Sequence, residues 1–363
     1  MTRRSFLSTL SASVVANAAA AEHKTQNVVL VTADGLRWQE IFRGIDPKLM
    51  NREDAGMKDA EELRSSLWAE SVEERRQKLF PFLWGKLVPK GALFGNRDHG
   101  GDVSVRNRHR FSYPGYSEIL VGRPQDDVID SNAMRPNPSK TVLEIAREEL
   151  KLSAKQVALF GSWNVFQGIG AQQPGSVFIN AGYQPIDAPE EELRRLSDLQ
   201  FDLLTPWPTV RHDYFTCEAA LAYLRARKPR VLYVALGETD DWAHGNRYDR
   251  TLETAQYFDR CLAKLWTAIE GDPFYAGRTT LLATTDHGRG RTPEDWQGHG
   301  TEVDGAEEIW IAALGPDTPA LGDAANTAAL TQSDIAPTML ELLGVDPAKL
   351  GAVGRPIDAV LGR

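Results

Sequence analysis

Three apolar runs in this chain each stop at an acid. They span 27–34, 231–240 and 280–286 and end at Asp34, Asp240 and Asp286. Continuous β-branched apolar runs suit strands covered on both faces, as in a parallel sheet. Parallel neighbours need crossover connections, and the intervening chain supplies helical patterns at 141–151, 218–227, 250–269 and 335–343. Pro337 falls in the first turn of the last of these, where its missing N–H costs nothing. Further strands are expected at 156–160 and 309–314, and another ending at Phe94. The alternation predicts an α/β fold: a three-layer α/β/α sandwich with a mostly parallel central sheet. In such sheets ligands gather beyond the carboxyl ends of the strands. The three aspartates should therefore meet along one edge.

The chain has 363 residues and a formal net charge of −9. That balance argues against general nucleic-acid binding, which usually presents a basic face. It leaves phosphate substrates open, because a bound cation can dominate a local field. Residues 22–363 read as a single catalytic domain, with insertions near 46–80 and 183–212 and a Pro-, Asp- and Asn-rich loop at 123–139. The only cysteines are Cys217 and Cys261, both in amphipathic helical surroundings. That setting favours buried free thiols over a disulfide. Arg3-Arg4, a mildly apolar stretch to Val15 and an Ala-rich end near Ala21 read as a twin-arginine signal over 1–21. The signal would engage the twin-arginine translocase and release a periplasmic or secreted protein after cleavage near Ala21. It is too short to span a bilayer, and no later segment reaches that length.

The chemistry-bearing residues are weak signals singly. Asp240 and His244 are spaced i, i+4 and share a face if the chain turns helical there. Asp286-His287-Gly288 directly follows a strand, and His299 lies between Gly298 and Gly300. Asp34-Gly35 has the look of a turn. Together these places supply three carboxylates and three imidazoles, a donor set for hard-to-borderline divalent metals. Ser112, in Arg110-Phe-Ser-Tyr-Pro-Gly115, reads as a helix N-cap with Pro114 in the first turn. A helix start favours an anion, so a phosphoryl group could rest there. Ser117 is the second candidate nucleophile. Trp38, Trp84, Trp163, Trp207 and Trp242 read as core residues rather than a base-stacking platform.

The order Asp34, Ser112, Asp240, His244, Asp286, His287, His299 resembles the alkaline phosphatase superfamily over nearly the whole chain after residue 21. The nearest likeness is to type I phosphodiesterases and nucleotide pyrophosphatases. Ser112-Tyr-Pro-Gly115 is similar to their Thr-Phe-Pro-Asn segment, and Glu238-Thr-Asp240-Asp-Trp-Ala-His244 to their Glu-Pro-Asp-x-x-Gly-His segment. The resemblance implies an alkaline phosphatase-like fold and two divalent metal ions, zinc first and manganese second. One metal would be held by Asp240, His244 and His299, the other by Asp34, Asp286 and His287 with Ser112 as nucleophile. It also implies a phosphoserine intermediate, a small-molecule phosphate ester as substrate, and Asn164 as a phosphate-binding residue. Arg106, Asn107, Arg108 and Arg110 precede Ser112 and are candidates to reach the substrate. Sulfatases of this superfamily carry Cys/Ser-x-Pro-x-Arg, and position 116 here is Tyr. A phosphomutase is disfavoured by export, and a non-catalytic binding protein by the complete ligand set.

Overall fold

A computed structural model describes residues 23–57, 60–325 and 327–363. The signal-peptide expectation falls on residues outside these. The described residues form an eight-stranded sheet built around β1 (Asn27–Ala33). β6 (Val231–Leu236) lies parallel on one side of it and β7 (Thr279–Thr284) parallel on the other. Outward from β6 come β4 (Val157–Gly161) and the edge strand β5 (Phe178–Ala181), both parallel. Outward from β7 come β8 (Ile311–Leu314), β2 (Ala92–Phe94) and the short β9 (Gly322–Asp323). A separate ribbon pairs β3 (Val103–Ser104) with β10 (Leu330–Thr331).

The mostly parallel expectation holds, with β8 the exception: it runs antiparallel to both β7 and β2. The reason lies in the 285–310 connection. It contains no helix to carry a crossover, so the chain returns in the opposite direction. β5 was not anticipated from sequence. It is a four-residue edge strand closed by Gly182, too short to give a periodic signal.

Side chains along β1 alternate between two cores. Val29, Val31 and Ala33 pack with helices Asp213–Arg227 and Tyr248–Glu270. Val28 and Leu30 pack on the other face with helices Ser112–Val121, Val142–Glu149 and Ile335–Leu342. Both faces of the strand are covered, which is why its sequence is continuously apolar. The Val142–Glu149 helix starts with a capping box between Thr141 and Glu144.

The free-thiol expectation is corrected. Cys217 and Cys261 are joined in a disulfide, with Cα atoms 6.1 Å apart. Both are fully buried, as amphipathicity indicated. They lie on the Asp213–Arg227 and Tyr248–Glu270 helices, whose inward faces oppose each other. That juxtaposition is tertiary and cannot be read from either helix alone.

Segment 46–80 contains the helices Pro47–Met50, Glu61–Leu67 and Val72–Leu79. It reaches the rim of the sheet edge: Arg52 pairs with Glu294 at 2.9 Å, and the Asn246 side chain donates to the Asp54 carbonyl. Among the described residues no helix is long and apolar enough to cross a membrane.

Candidate metal centre

Parallel pairing brings three strand ends to one edge. Ala33 is in register with Leu236, and Thr32 with Thr284. Asp34 and Asp286 therefore leave adjacent strands side by side. Their loops interlock: the Gly35 amide donates to Asp286 Oδ1 at 3.0 Å, and the Leu36 amide to Thr285 Oγ1 at 3.2 Å. Asp240 does not end its strand. β6 stops at Leu236, and Asp240 lies in the first turn of the Glu238–His244 helix. Asp213 fixes that turn by accepting from the Gly237 amide at 2.7 Å and the Glu238 amide at 3.2 Å.

Six of the expected residues meet here or at the rim. His287 Nε2 lies 3.3 Å from Asp34 Oδ1, 3.5 Å from Asp286 Oδ2 and 3.7 Å from Asp240 Oδ1. His299 Nε2 lies 3.7 Å from Asp240 Oδ1 and 2.9 Å from His244 Nε2, and His244 Nε2 is 3.3 Å from Asp240 Oδ2. Two donor clusters result: Asp34, Asp286 and His287, and Asp240, His287 and His299. His244 stands at the rim, half exposed. Asp286 and His287 are wholly buried.

The polar atoms show what these residues lack. Asp34 Oδ1, Asp286 Oδ2 and His287 Nε2 are buried and have no hydrogen-bond partner. Buried acceptors are almost always paired, so three orphans at one point call for a cation. The other imidazole nitrogens are already engaged. His287 Nδ1 is 2.9 Å from the Gly288 carbonyl, and His299 Nδ1 is 3.1 Å from the Arg110 carbonyl. Both N–H groups donate to backbone, which leaves each Nε2 lone pair facing the centre, the usual arrangement of metal-ligating histidines.

Electrostatics agrees. Burial and then the neighbouring Asp34 charge hold the Asp286 carboxyl well above the carboxylate range. Burial lowers the His287 imidazolium, but Asp286 and Asp34 outweigh it, and its pKa rises to about 9. His299 is driven far down by burial and then by His287, Arg289 and His244, so its imidazole is neutral. Two carboxylates this close and this buried cannot both ionise readily without a cation between them.

Ser112 is buried and begins the Ser112–Val121 helix. Two contacts bracket it against the centre. The Arg110 carbonyl holds His299, and Gly115 abuts the Asp286 backbone. A Cβ at Gly115 would lie 2.3 Å from the Asp286 carbonyl oxygen, so only glycine lets this helix approach. Gly115→Ala is expected to cost about 2–3 kcal/mol in denaturant unfolding and to lower turnover by moving Ser112 outward. Wild-type stability together with wild-type turnover would contradict this packing.

The N-cap reading of Ser112 is corrected. Phe111 is the cap residue, and Ser112 is the first helical residue. The Tyr113 amide is satisfied by Asn132 Oδ1 at 3.0 Å. Asn132 is thus a polar side chain at the Ser112 turn that sequence reasoning passed over. Ser117 is buried, and its hydroxyl accepts from Gln125 at 2.6 Å and Asn137 at 3.3 Å. Asn164 follows β4, the second strand from β1; its amide donates to the Thr209 carbonyl at 2.9 Å, and its Oδ1 is buried without a partner. No hydrogen bond joins Asn164 to the six carboxylate and imidazole residues. Arg110 is paired with Glu307 at 3.2 Å, Arg108 donates to the Asp126 carbonyl at 3.1 Å, and Asn107 binds Glu118 at 2.9 Å. Trp242, two residues past Asp240, pairs edge to face with Trp207 at 4.7 Å. Both are only partly buried.

No family model matches the chain. It is 30% identical over 149 residues to a 2,3-bisphosphoglycerate-independent phosphoglycerate mutase of Synechococcus elongatus, a match covering 38% of this chain and 26% of that protein. The chain thus spans about a quarter of the length of the curated relatives it matches. Among solved structures, a 2-O GAG sulfatase superposes with a TM-score of 0.59 at 14% identity, over 93% of this chain and 74% of that one. Alkaline phosphatase PafA superposes with a TM-score of 0.57 at 10% identity, over 95% of this chain and all (100%) of that one. The chain has the alkaline phosphatase fold. The 2-O GAG sulfatase and a phosphonate monoester hydrolase of Agrobacterium radiobacter share that fold. In this chain, the carboxyl edge of the alkaline phosphatase fold carries the Asp–His clusters and the Ser112 helix start.

Proposed function

We propose that this chain is a two-metal phosphoric ester hydrolase, of phosphodiesterase, nucleotide pyrophosphatase or phosphatase type, acting through phosphoserine at Ser112. The observation that carries the reading is the set of three orphaned acceptors, Asp34 Oδ1, Asp286 Oδ2 and His287 Nε2, beside the start of the Ser112 helix. Asp34, Asp286 and His287 would hold one cation, and Asp240, His244 and His299 the other. Mixed carboxylate and imidazole donors in low number suit zinc best, with manganese second. When bound, such a pair supplies Lewis-acid stabilisation of the attacking and departing oxygens of an in-line displacement.

The chain's own groups do the rest. Ser112 Oγ forms a bond to phosphorus as the P–O bond to the leaving alcohol breaks, and the hydroxyl proton departs with that alcohol. Water then attacks the phosphoserine, releasing phosphate or a monoester and restoring the hydroxyl. The Ser112 amide heads a ten-residue helix, and the partial positive charge there favours the phosphoryl group. His299, neutral and tied to the Arg110 carbonyl, fixes the backbone two residues before the nucleophile.

Phosphate is favoured over sulfate by position 116. Tyr116 is fully buried there, in place of the sulfatase arginine. The identity to a phosphoglycerate mutase also favours phosphoryl chemistry. It supports a second reading as well, a phosphomutase that passes the phosphoryl group to another hydroxyl instead of water. Metal-loaded protein assayed on p-nitrophenyl phosphate, its bis ester and p-nitrophenyl sulfate separates these classes. Turnover confined to the sulfate would overturn the proposal. Treatment with a chelator is expected to abolish turnover and to lower the Tm by about 5–10 °C, with both restored by zinc.

The reading includes export through the twin-arginine translocase to the periplasm or beyond. The Cys217–Cys261 disulfide supports it, since disulfides persist in oxidising compartments. Recovery of full-length, reduced protein from the cytoplasmic fraction alone would count against it.

A further inference from the structure

Arg289 lies two residues past His287, and its side chain is buried. Its Nε donates to the Gly35 carbonyl at 3.1 Å, and Nη1 donates to the Gln297 carbonyl. Nη2 donates to the Asp240 carbonyl at 3.3 Å and also to the Asp240 carboxylate Oδ1. Three backbone carbonyls thus hold the guanidinium independently of the carboxylate it touches. Gly35 provides the space. It has φ +55°, and a Cβ there would lie 2.8 Å from Arg289 Nε and 2.9 Å from Nη2. The chain builds a fixed cation into one side of the centre.

The two half-sites therefore differ in charge. Asp34 and Asp286 contribute two carboxylates, and among the described residues neither is paired with an arginine or lysine. The other half has a single carboxylate, Asp240, and Arg289 is hydrogen-bonded to it; the guanidinium also attracts Asp34, but from beyond contact distance. A divalent ion beside Asp240 also meets the Arg289 charge at short range, where a mostly buried setting screens it poorly.

We infer that Arg289 makes the metal pair unequal. The Asp34–Asp286–His287 side keeps its cation, and the Asp240–His244–His299 side binds a second one weakly enough to exchange. Arg289 is a positioning residue here: it acts through Asp240, directing Oδ1 to the guanidinium and Oδ2 toward His244. Occupancy of the second side then follows the free metal concentration. The inference rests on the two-metal reading above.

Calorimetric titration of chelator-stripped full-length protein with Zn2+ tests it. The expected result is two steps whose Kd values differ by about tenfold or more. Asp34→Asn should remove the tight step, and Asp240→Asn the weak one. Arg289→Met should narrow the gap by tightening the weak step about tenfold, and Arg289→Lys, which keeps the charge, should preserve it. Two equal steps in the wild type overturn the inference, as does an unchanged gap in folded Arg289→Met protein. If Arg289→Met does not fold, the aspartate variants still decide, because loss of the tight step in Asp240→Asn overturns it. A wild type that binds no zinc overturns the two-metal reading itself.

Discussion

Ser112→Ala is expected to reduce kcat on phosphate esters by on the order of 10³-fold or more, while zinc content and Tm stay at wild-type values. The side chain makes no hydrogen bond that holds the helix, since the Tyr113 amide is capped by Asn132 and the Gly115 amide donates to the Phe111 carbonyl at 3.0 Å. Losing the hydroxyl should therefore leave the fold intact and remove only the group proposed to receive the phosphoryl. Rapid acid quench should trap a phosphoenzyme in the wild type and none in the variant. Ser117→Ala is the control. Its hydroxyl is engaged by Gln125 and Asn137, so the phosphoenzyme should persist. Undiminished turnover in Ser112→Ala would sink the nucleophile assignment.

Removing the disulfide should have the largest effect on stability. Cys217 and Cys261 are 44 residues apart in sequence. Closing a loop of that length lowers the entropy of the unfolded chain by an amount worth about 4 kcal/mol at 25 °C. The bridge joins two long helices that cover one face of the sheet. Cys217→Ser/Cys261→Ser protein, or wild type in reductant, is expected to unfold at a markedly lower urea concentration. An unchanged midpoint in both would show that the two sulfurs are not bonded in solution.

How far the sequence could be read depended on the range of the interaction. Asp34 and Asp286 stood out because buried parallel strands must be continuously apolar, so an acid marks where the strand stops. The Asp240–His244 spacing was informative because one helical turn is local geometry. Neither route reaches groups whose partners are distant. Arg289 follows His287 in an unremarkable loop, and its meaning comes from carbonyls at Gly35, Gln297 and Asp240. Asn132 acts on an amide nineteen residues earlier. The cysteine pairing depended on how two helices face each other. The antiparallel β8 followed from a helix that the 285–310 segment does not form. The Ser112 cap was misplaced by one residue, because the side chain that satisfies the turn belongs to another segment.

β1 has one further consequence. It is the first strand of the sheet, yet its two neighbours are β6 and β7, some two hundred residues later in the chain. Contacts between segments so far apart are the slow ones to form. Asp34 precedes Asp286 and His287, the residues it clusters with, by some two hundred and fifty positions. The Asp34–Asp286–His287 cluster therefore forms only after β7 has docked on β1, and the Asp240–His287–His299 cluster only once the loop carrying His299 has closed over it.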